Sequence, residues 1–407
     1  MNNELRVKNK EMKIKNCGEP TIHNSLFAIH CSRRSGFTLI ELLVTISLVS
    51  IIAVVSTLSL GGYRGQQNLK RTLDEMSSVI QDAQKRAVTQ QNGSQWGVHF
   101  LNSTSINSYS MFEGVSYALG TSTNTYGLPR GIQFSNPFSS STYDAIFSGI
   151  TGNLSGKKVI SLITGRKDNL VGDIVLNTLG KATPRFDSGL VGYWHFDEGT
   201  ATTTYDASGN SNTGTLLGSP TWQSILNCKA GGCLTFNGAT NYVNVGNSNA
   251  SLGFSNDFTL SAWVFPTAYH TTGYYGILNG FIARGPASTY NYVLETKNDT
   301  TVTFIKRTGV ESLQFYDFIV PSMANKWTHI TMTISSNLIA KLYINGIFSS
   351  QQTIVGTIAA VAGDTLYLGG ATGNQSETYF IGSVDEVKIY NRALSAAEVL
   401  AHYNDLK

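Results

Sequence analysis

The chain is short of charge, of proline and of cysteine: 14% of its 407 residues are charged, eight are proline and four are cysteine. A net formal charge of +3 excludes the strongly basic surface that nucleic-acid binding requires. The excess is also local. Seven of the 29 Lys and Arg (Arg6, Lys8, Lys10, Lys13, Lys15, Arg33 and Arg34) precede Gly36, so the remainder is close to neutral. Cys17 and Cys31 lie near the start, and Cys228 and Cys233 lie close together far downstream. A lone pair without suitably spaced histidines is poor evidence for zinc. It suits a single Cys228–Cys233 disulfide in an exported domain, the alternative being two buried reduced thiols. No G-x-S-x-G, P-loop or H-E-x-x-H motif occurs, which removes the common nucleophile, phosphate and zinc-hydrolase signatures.

What is present is apolar and β-prone. An apolar fraction of 41% is too high for a disordered chain, and the length allows two or three domains. Forty glycines, 19 tyrosines and 19 phenylalanines indicate strands separated by many turns. The exception is "RRSGFTLIELLVTISLVSIIAVVSTLSL" from Arg33. Phe37 to Leu60 is 24 residues with Glu41 as the sole charge, and about 20 suffice to cross a bilayer. Arg33 and Arg34 before the run place the N-terminus in the cytoplasm and the bulk of the chain outside. A cleaved secretory signal would have a shorter apolar core. An ordinary anchor leaves Glu41 unexplained, because an acid in hydrocarbon costs roughly 2.5–3.5 kcal/mol.

The stretch "SGFTLIELLVTISLV" resembles the prepilin signature of type IV pilins and type II secretion pseudopilins. The resemblance implies that prepilin peptidase cuts after Gly36 and that Phe37 becomes an N-methylated terminus. It implies that Glu41, fifth in the mature chain, pairs with the Phe37 amine of a neighbouring subunit, offsetting the burial of either charge. Residues 1–36 would then be a leader, longer than many in the family, with Met12 as an alternative start. Residues 37–60 would be the transmembrane and assembly helix in the bacterial cytoplasmic membrane, and other pilin or pseudopilin subunits would be partners.

Beyond the apolar run, Leu69, Leu73, Met76, Ile80, Ala83 and Ala87 recur at steps of four and three, the pattern of an amphipathic helix. No proline occurs from Phe37 to Gln90, so one helix of 54 residues, about 80 Å, is expected, with Gly61, Gly62 and Gly65 able to loosen it. Runs at "WGVHF", "SYSMFEG", "GIQF", "KKVISLI" and "GDIVLNTLGKAT" predict a small antiparallel sheet that completes a head over 61–185. The segment "LDEMSSVIQDAQKRAVTQQNG" followed by strands resembles the H-type minor pseudopilins. "ATPRFDSGL" reads as a connection, with 186–189 as the linker.

From 190 to 407 short strands follow one another, and Asn345-Gly346 between two apolar runs signals a hairpin. Ile330, Met332 and Ile334 fall on one face, Thr331 and Thr333 on the other, and "SAAEVLAHY" offers a Ser395/Glu398 capping box. The motifs "DASGNSNTGTL", "LTFNGATNYVNVG", "FTLSAWV", "WTHITMTI", "LYINGI" and "GSVDEVKIYNRALSAAEV" resemble the laminin-G-like, concanavalin A-like jelly roll. The expected fold is thus α+β and pilin-like, a long helix with a small antiparallel sheet, followed by an all-β jelly-roll sandwich.

That resemblance implies a carbohydrate- or protein-binding domain, often with structural calcium. Asp206, Ser208, Asn210 and Asn212 offer oxygens at alternate positions, and Asp385 could complete a calcium shell; an Asx-rich turn without an ion is the other reading. Tyr269, Tyr274 and Tyr275, flanked by glycines, are candidate ligand contacts, whereas Trp263 and Trp327 suit either core or platform. His99 and His195 read as structural. Related jelly-roll glycosidases place two or three acids on one strand, whereas the acids here lie in "DEG" at 197 and "DE" at 385 in settings that read as structural, so no enzymatic role is expected; an anchored glycan hydrolase would have to use Glu198 or Glu386. The expected function is a minor pilin or pseudopilin displaying an adhesive jelly roll. The alternative is a secretion pseudopilin whose extra domain contacts cargo or filament partners. Intact-mass analysis of the membrane fraction should find methylated Phe37 as the mature N-terminus. Recovery of Met1 or Met12 from wild-type cells would sink the prepilin reading.

Overall fold

The computed structural model describes residues 38–165, 170–247, 250–255, 257–272, 279–285, 290–308, 312–356, 358, 363–371 and 378–407, with 51–63 as backbone only. It divides between Thr57 and Leu58 into two units. Helix α1 covers Leu39–Val88. It stops where Gln90 takes a left-handed backbone conformation (φ 48°), a common helix end.

In the second unit, Leu69, Leu73, Met76, Ile80, Ala83 and Ala87 are all at most 2% exposed, the stripe that the spacing predicts. The strands that meet it are β1 (Trp96–Asn102), β2 (Asn107–Glu113), β3 (Thr121–Gly127), β4 (Ile132–Asn136), β5 (Ser141–Phe147), β6 (Lys158–Thr164), β7 (Val171–Leu176) and β8 (Ala182–Asp187). They form two antiparallel sheets, ordered β3-β2-β1-β5 and β4-β6-β7-β8, where one was expected. The strand β3 was hidden because "TSTNTYG" has no apolar alternation and stays almost wholly exposed. "GDIVLNTLGKAT" is not one strand but β7, a turn and the start of β8. Asn177 closes that turn by accepting the Lys181 amide through Oδ1 at 2.9 Å, and Gly180 supplies the positive φ of 77°. At Gly172 a Cβ would meet Leu73 Cδ1 at 2.4 Å, so glycine there lets the helix lie close on β7.

Strands β6 and β7 are buried on both faces. Ile160, Leu162, Ile174 and Leu176 join the core under α1. Val159, Ile163, Val171 and Val175 face the other way, into clusters with Tyr193, Tyr390, Trp263 and Leu406 of the C-terminal domain. Hence the sheet does not cap the helix alone; it is the middle layer between the helix and the β-sandwich.

The C-terminal domain is that sandwich. One eight-stranded antiparallel sheet runs in the order 203–204, 214–217, 242–246, 366–368, 280–284, 292–298, 301–308 and 312–319. The other runs 221–223, 233–237, 381–390, 258–266, 328–334, 339–344 and 347–353, with 190–194 also paired to 381–390. The two share one core, which includes Phe236, Leu260, Phe304, Met332 and Val384. Asn345 and Gly346 (φ 51° and 78°) make the expected hairpin turn. Ile330, Met332 and Ile334 point into the core, yet Thr331 and Thr333 are also buried, at 1% and 3% exposure. The outer face of this sheet carries the head and helix α2 (Ala396–Leu406) and is not left to water. Ser395 and Glu398 cap α2 reciprocally, as expected.

Residues 186–189 are therefore corrected from a linker to the end of β8 and a two-residue turn, Ser188-Gly189, that enters the next strand. The physical reason is Asp187, which is 4% exposed and bound across the junction. Lys388 Nζ lies 3.3 Å from both Asp187 and Asp173 and 4.1 Å from the Tyr193 ring centroid. Tyr390 donates to Asp187 at 3.2 Å, and His402 Nε2 is 3.2 Å from its other oxygen. Arg185 of β8 pairs with Asp405 of α2. Burial pushes the Asp187 carboxyl up, but Lys388 and His402 hold it well below the usual carboxylate range. Burial also opposes the Lys388 charge, and Asp187 and Asp173 raise its pKa above the lysine norm. Removing one partner of such a buried cluster strands the others, so Lys388→Met should lower the unfolding free energy by about 3–5 kcal/mol. Near-wild-type stability in a denaturant titration would show that the cluster does not hold head and sandwich together.

Candidate functional site

Gly36, Phe37, Cys17 and Cys31 lie outside the described residues. Glu41 is exposed in the first turn of α1, and its backbone amide donates to Thr38 Oγ1 at 3.2 Å. Its Oε2 accepts from Thr38 N and Oγ1, each at 3.4 Å. "TLIE" is therefore also a capping box, a T-x-x-E signal that the reading of Glu41 as an assembly residue passed over. Leu39, Ile40, Leu42, Leu43 and Val44 are exposed around it. Among the described residues no helix is long and apolar enough to cross a membrane. Within the span expected at 37–60, side chains are described from Thr38 to Ser50, roughly 20 Å of helix.

The turn from Asp206 to Asn212 is built around the Asp206 carboxylate. Its Oδ1 accepts the amides of Tyr193 and Ser208, both at 2.9 Å. Its Oδ2 accepts Ser208 Oγ, Asn212 N and Asn212 Nδ2 at 2.8, 3.0 and 2.8 Å. Asn210 and Asn212 donate in turn to the Val191 carbonyl. Burial pushes the Asp206 carboxyl up against these bonds. Five protein donors aimed at one carboxylate do not fit a calcium ligand, and no group of three or more His, Cys, Asp or Glu that could hold a metal is found among the described residues. Asp206, Ser208, Asn210 and Asn212 make a hydrogen-bonded Asx turn, and Asp385, expected to join them, serves another loop.

That loop is closed by the Cys228–Cys233 disulfide, with Cα atoms 5.5 Å apart. Asp385 Oδ2 accepts the amides of Lys229 and Ala230 at 2.8 and 3.1 Å, and burial followed by Glu386 pushes its carboxyl well above the normal range. The Gly232 amide donates to Asp197, which also pairs with Lys158 of β6 at 3.0 Å. The disulfide loop thus belongs to the junction between sandwich and head.

Glu386 is 3% exposed and accepts from Tyr193 Oη, with His195 Nδ1 at 2.9 Å. His195, one residue past the strand Leu190–Trp194, in turn meets Ser161 of β6 at 3.0 Å. Burial raises the Glu198 carboxyl to about 7, and its Oε1 accepts from Thr204 and Tyr205. His99 stacks on Tyr117 at 3.8 Å and bonds Asp144. Trp263 is core, under Lys229 Nζ at 4.1 Å and against Tyr403. Trp327 instead lines a surface cleft of about 430 Å³ with Phe265, Gln223 and Leu226. Tyr269 is half-buried, its phenol pushed up by burial and by nearby Asp299. Tyr274 and Tyr275 lie outside the described residues.

The architecture is a two-sheet antiparallel sandwich packed against a helix-and-sheet head, and each part has counterparts among known proteins. The prokaryotic N-terminal methylation motif matches residues 31–57, and the concanavalin A-like lectin/glucanases superfamily matches residues 237–400. Type II secretion system protein H of Aeromonas hydrophila is 39% identical over 56 residues, which are 14% of this chain and 31% of that protein. The chain thus spans about a third of that relative's length. Domain 4 of an extracellular arabinanase from Geobacillus stearothermophilus, solved with arabinotriose, is 21% identical, covering 54% of this chain and 98% of that one at a TM-score of 0.41. The binding domain of Paraclostridial Mosquitocidal Protein 1 is 20% identical, covering 53% and 52% at 0.41. The chain joins a prepilin-type methylation motif to a concanavalin A-like β-sandwich. Asp206→Ala should cost about 3 kcal/mol by stranding buried donors, equally in calcium and in chelator. A loss of stability confined to calcium-containing buffer would restore the ion.

Proposed function

We propose that the chain is a membrane-anchored minor pilin or pseudopilin whose sandwich binds carbohydrate or protein for adhesion and performs no catalysis. The observation that carries this reading is the methylation motif at 31–57, ending in an apolar helix, in the same chain as a lectin-like sandwich. Prepilin peptidase would release Phe37, and the amine of one subunit would meet Glu41 of the next, drawing that side chain away from its long contacts with Thr38. The exposed Leu39, Ile40, Leu42 and Leu43 need an apolar surround, which bilayer or neighbouring helices would supply. The binding reading is supported by the sealed state of Glu386, which is committed to Tyr193 and His195.

The likeness to a type II secretion protein favours a second reading, in which the sandwich contacts secreted cargo from within the envelope. Glu41→Ala should leave cleavage after Gly36 intact while removing the subunit from purified filaments, and surface labelling of intact cells should reach the sandwich. Filaments that incorporate Glu41→Ala at the wild-type level would overturn the assembly role. A sandwich inaccessible to label in cells that assemble it would move the function to secretion.

A further inference from the structure

We propose that a second cleft, where the head meets the sandwich, binds a neutral oligosaccharide. The inference deepens the binding role above and rests on it. The cleft has a volume of about 390 Å³, within the usual range for small-ligand sites. One wall comes from the head: Asn107 from the β1–β2 hairpin, Gln133 and Ser135 from β4, and Phe138. The other is the sandwich segment that includes Tyr205, Ser211 and Thr213. Neither part has the site by itself.

The chemistry of the lining selects the ligand class. Among the described residues that line it, the polar side chains are amides and hydroxyls, with no lysine, arginine or histidine. The single acid, Asp206, has both oxygens committed to the turn behind the wall. An anionic ligand would find no counter-charge among the described lining residues, and an apolar one would strand the amides. Phe138 and Tyr205 stack across the junction at 5.0 Å and 15°, and Tyr205 stays 39% exposed. An aromatic surface bordered by amides and hydroxyls suits the alternating C–H and O–H faces of a sugar ring.

Two further observations point the same way. Asn107 Oδ1 and Ser135 Oγ are buried without a hydrogen-bond partner, polar capacity that the fold does not use. Ser211 is held at φ 60°, a left-handed backbone conformation that glycine would adopt without strain. The wall is rigid because the Asp206 hydrogen bonds define it, and the cleft keeps its shape because the ion cluster at Lys388 fixes head against sandwich.

The test is calorimetry and saturation-transfer NMR on the detergent-solubilised full chain with maltotriose, cellotriose, triacetylchitotriose and, as the acidic arm, trigalacturonate. At least one neutral trisaccharide should bind in the millimolar range, more tightly than trigalacturonate. Tyr205→Ala and Gln133→Ala should each weaken it roughly tenfold. Thr213→Arg, at an exposed position, should block the cleft while keeping the wild-type melting temperature, which separates loss of the site from loss of the fold. Trp327→Ala, in the other cleft, should change nothing. Failure of all three neutral probes overturns the proposal. Binding that survives Thr213→Arg but is lost in Trp327→Ala also overturns it, while leaving the displayed binding domain intact.

Discussion

The molecule turns on a buried lysine. Lys388 projects from the outer face of a sandwich strand into a site where Asp173 and Asp187 of the head wait at 3.3 Å. A charge without these partners would be expelled or neutralised, and the two acids without the lysine would repel each other. Head and sandwich are therefore not beads on a string. Each completes the other's polar groups, and Tyr390, His402, Arg185 and Asp405 extend the contact toward α2.

This constraint orders the layers around it. Strands β6 and β7 give one face to α1 and the other to the sandwich, so they are largely apolar on both sides, with Lys158, Ser161, Thr164 and Asp173 as the polar exceptions. The disulfide loop is drawn in by Asp385 and Asp197, and Asp197 ties it to Lys158 of the head. The buried Glu386 and His195 also join this contact, through Tyr193 and Ser161. The consequence of these contacts is that a force applied to the sandwich is carried directly into the head.

Much of the fold was legible in the chain because its signals are local. The stripe from Leu69 to Ala87, the Asn345-Gly346 turn, the Ser395/Glu398 cap and the core strands at 258–266 and 328–334 follow from periodicity and turn chemistry. The polar strand β3, the turn at Asn177 and the second sheet of the head did not announce themselves, because pairing and not side-chain pattern makes them strands. The choice between a calcium site and an Asx turn is not legible in the chain for a similar reason. Alternating oxygens in "DASGNSN" look the same whether they face an ion or one another's backbone amides, and only the donors converging on Asp206 distinguish the two.

The amino-acid sequence by itself determined the prepilin-type start, the helix stripe and the identity of the sandwich, since each rests on residues that are neighbours in the chain or repeat at a fixed period. Only the tertiary structure decided what Asp173, Asp187 and Lys388 do, that 186–189 is a turn and not a linker, and that a cleft opens between Gln133 and Tyr205. Those partners stand tens to hundreds of positions apart, and opposite charges or facing walls acquire meaning only when folding removes the water between them.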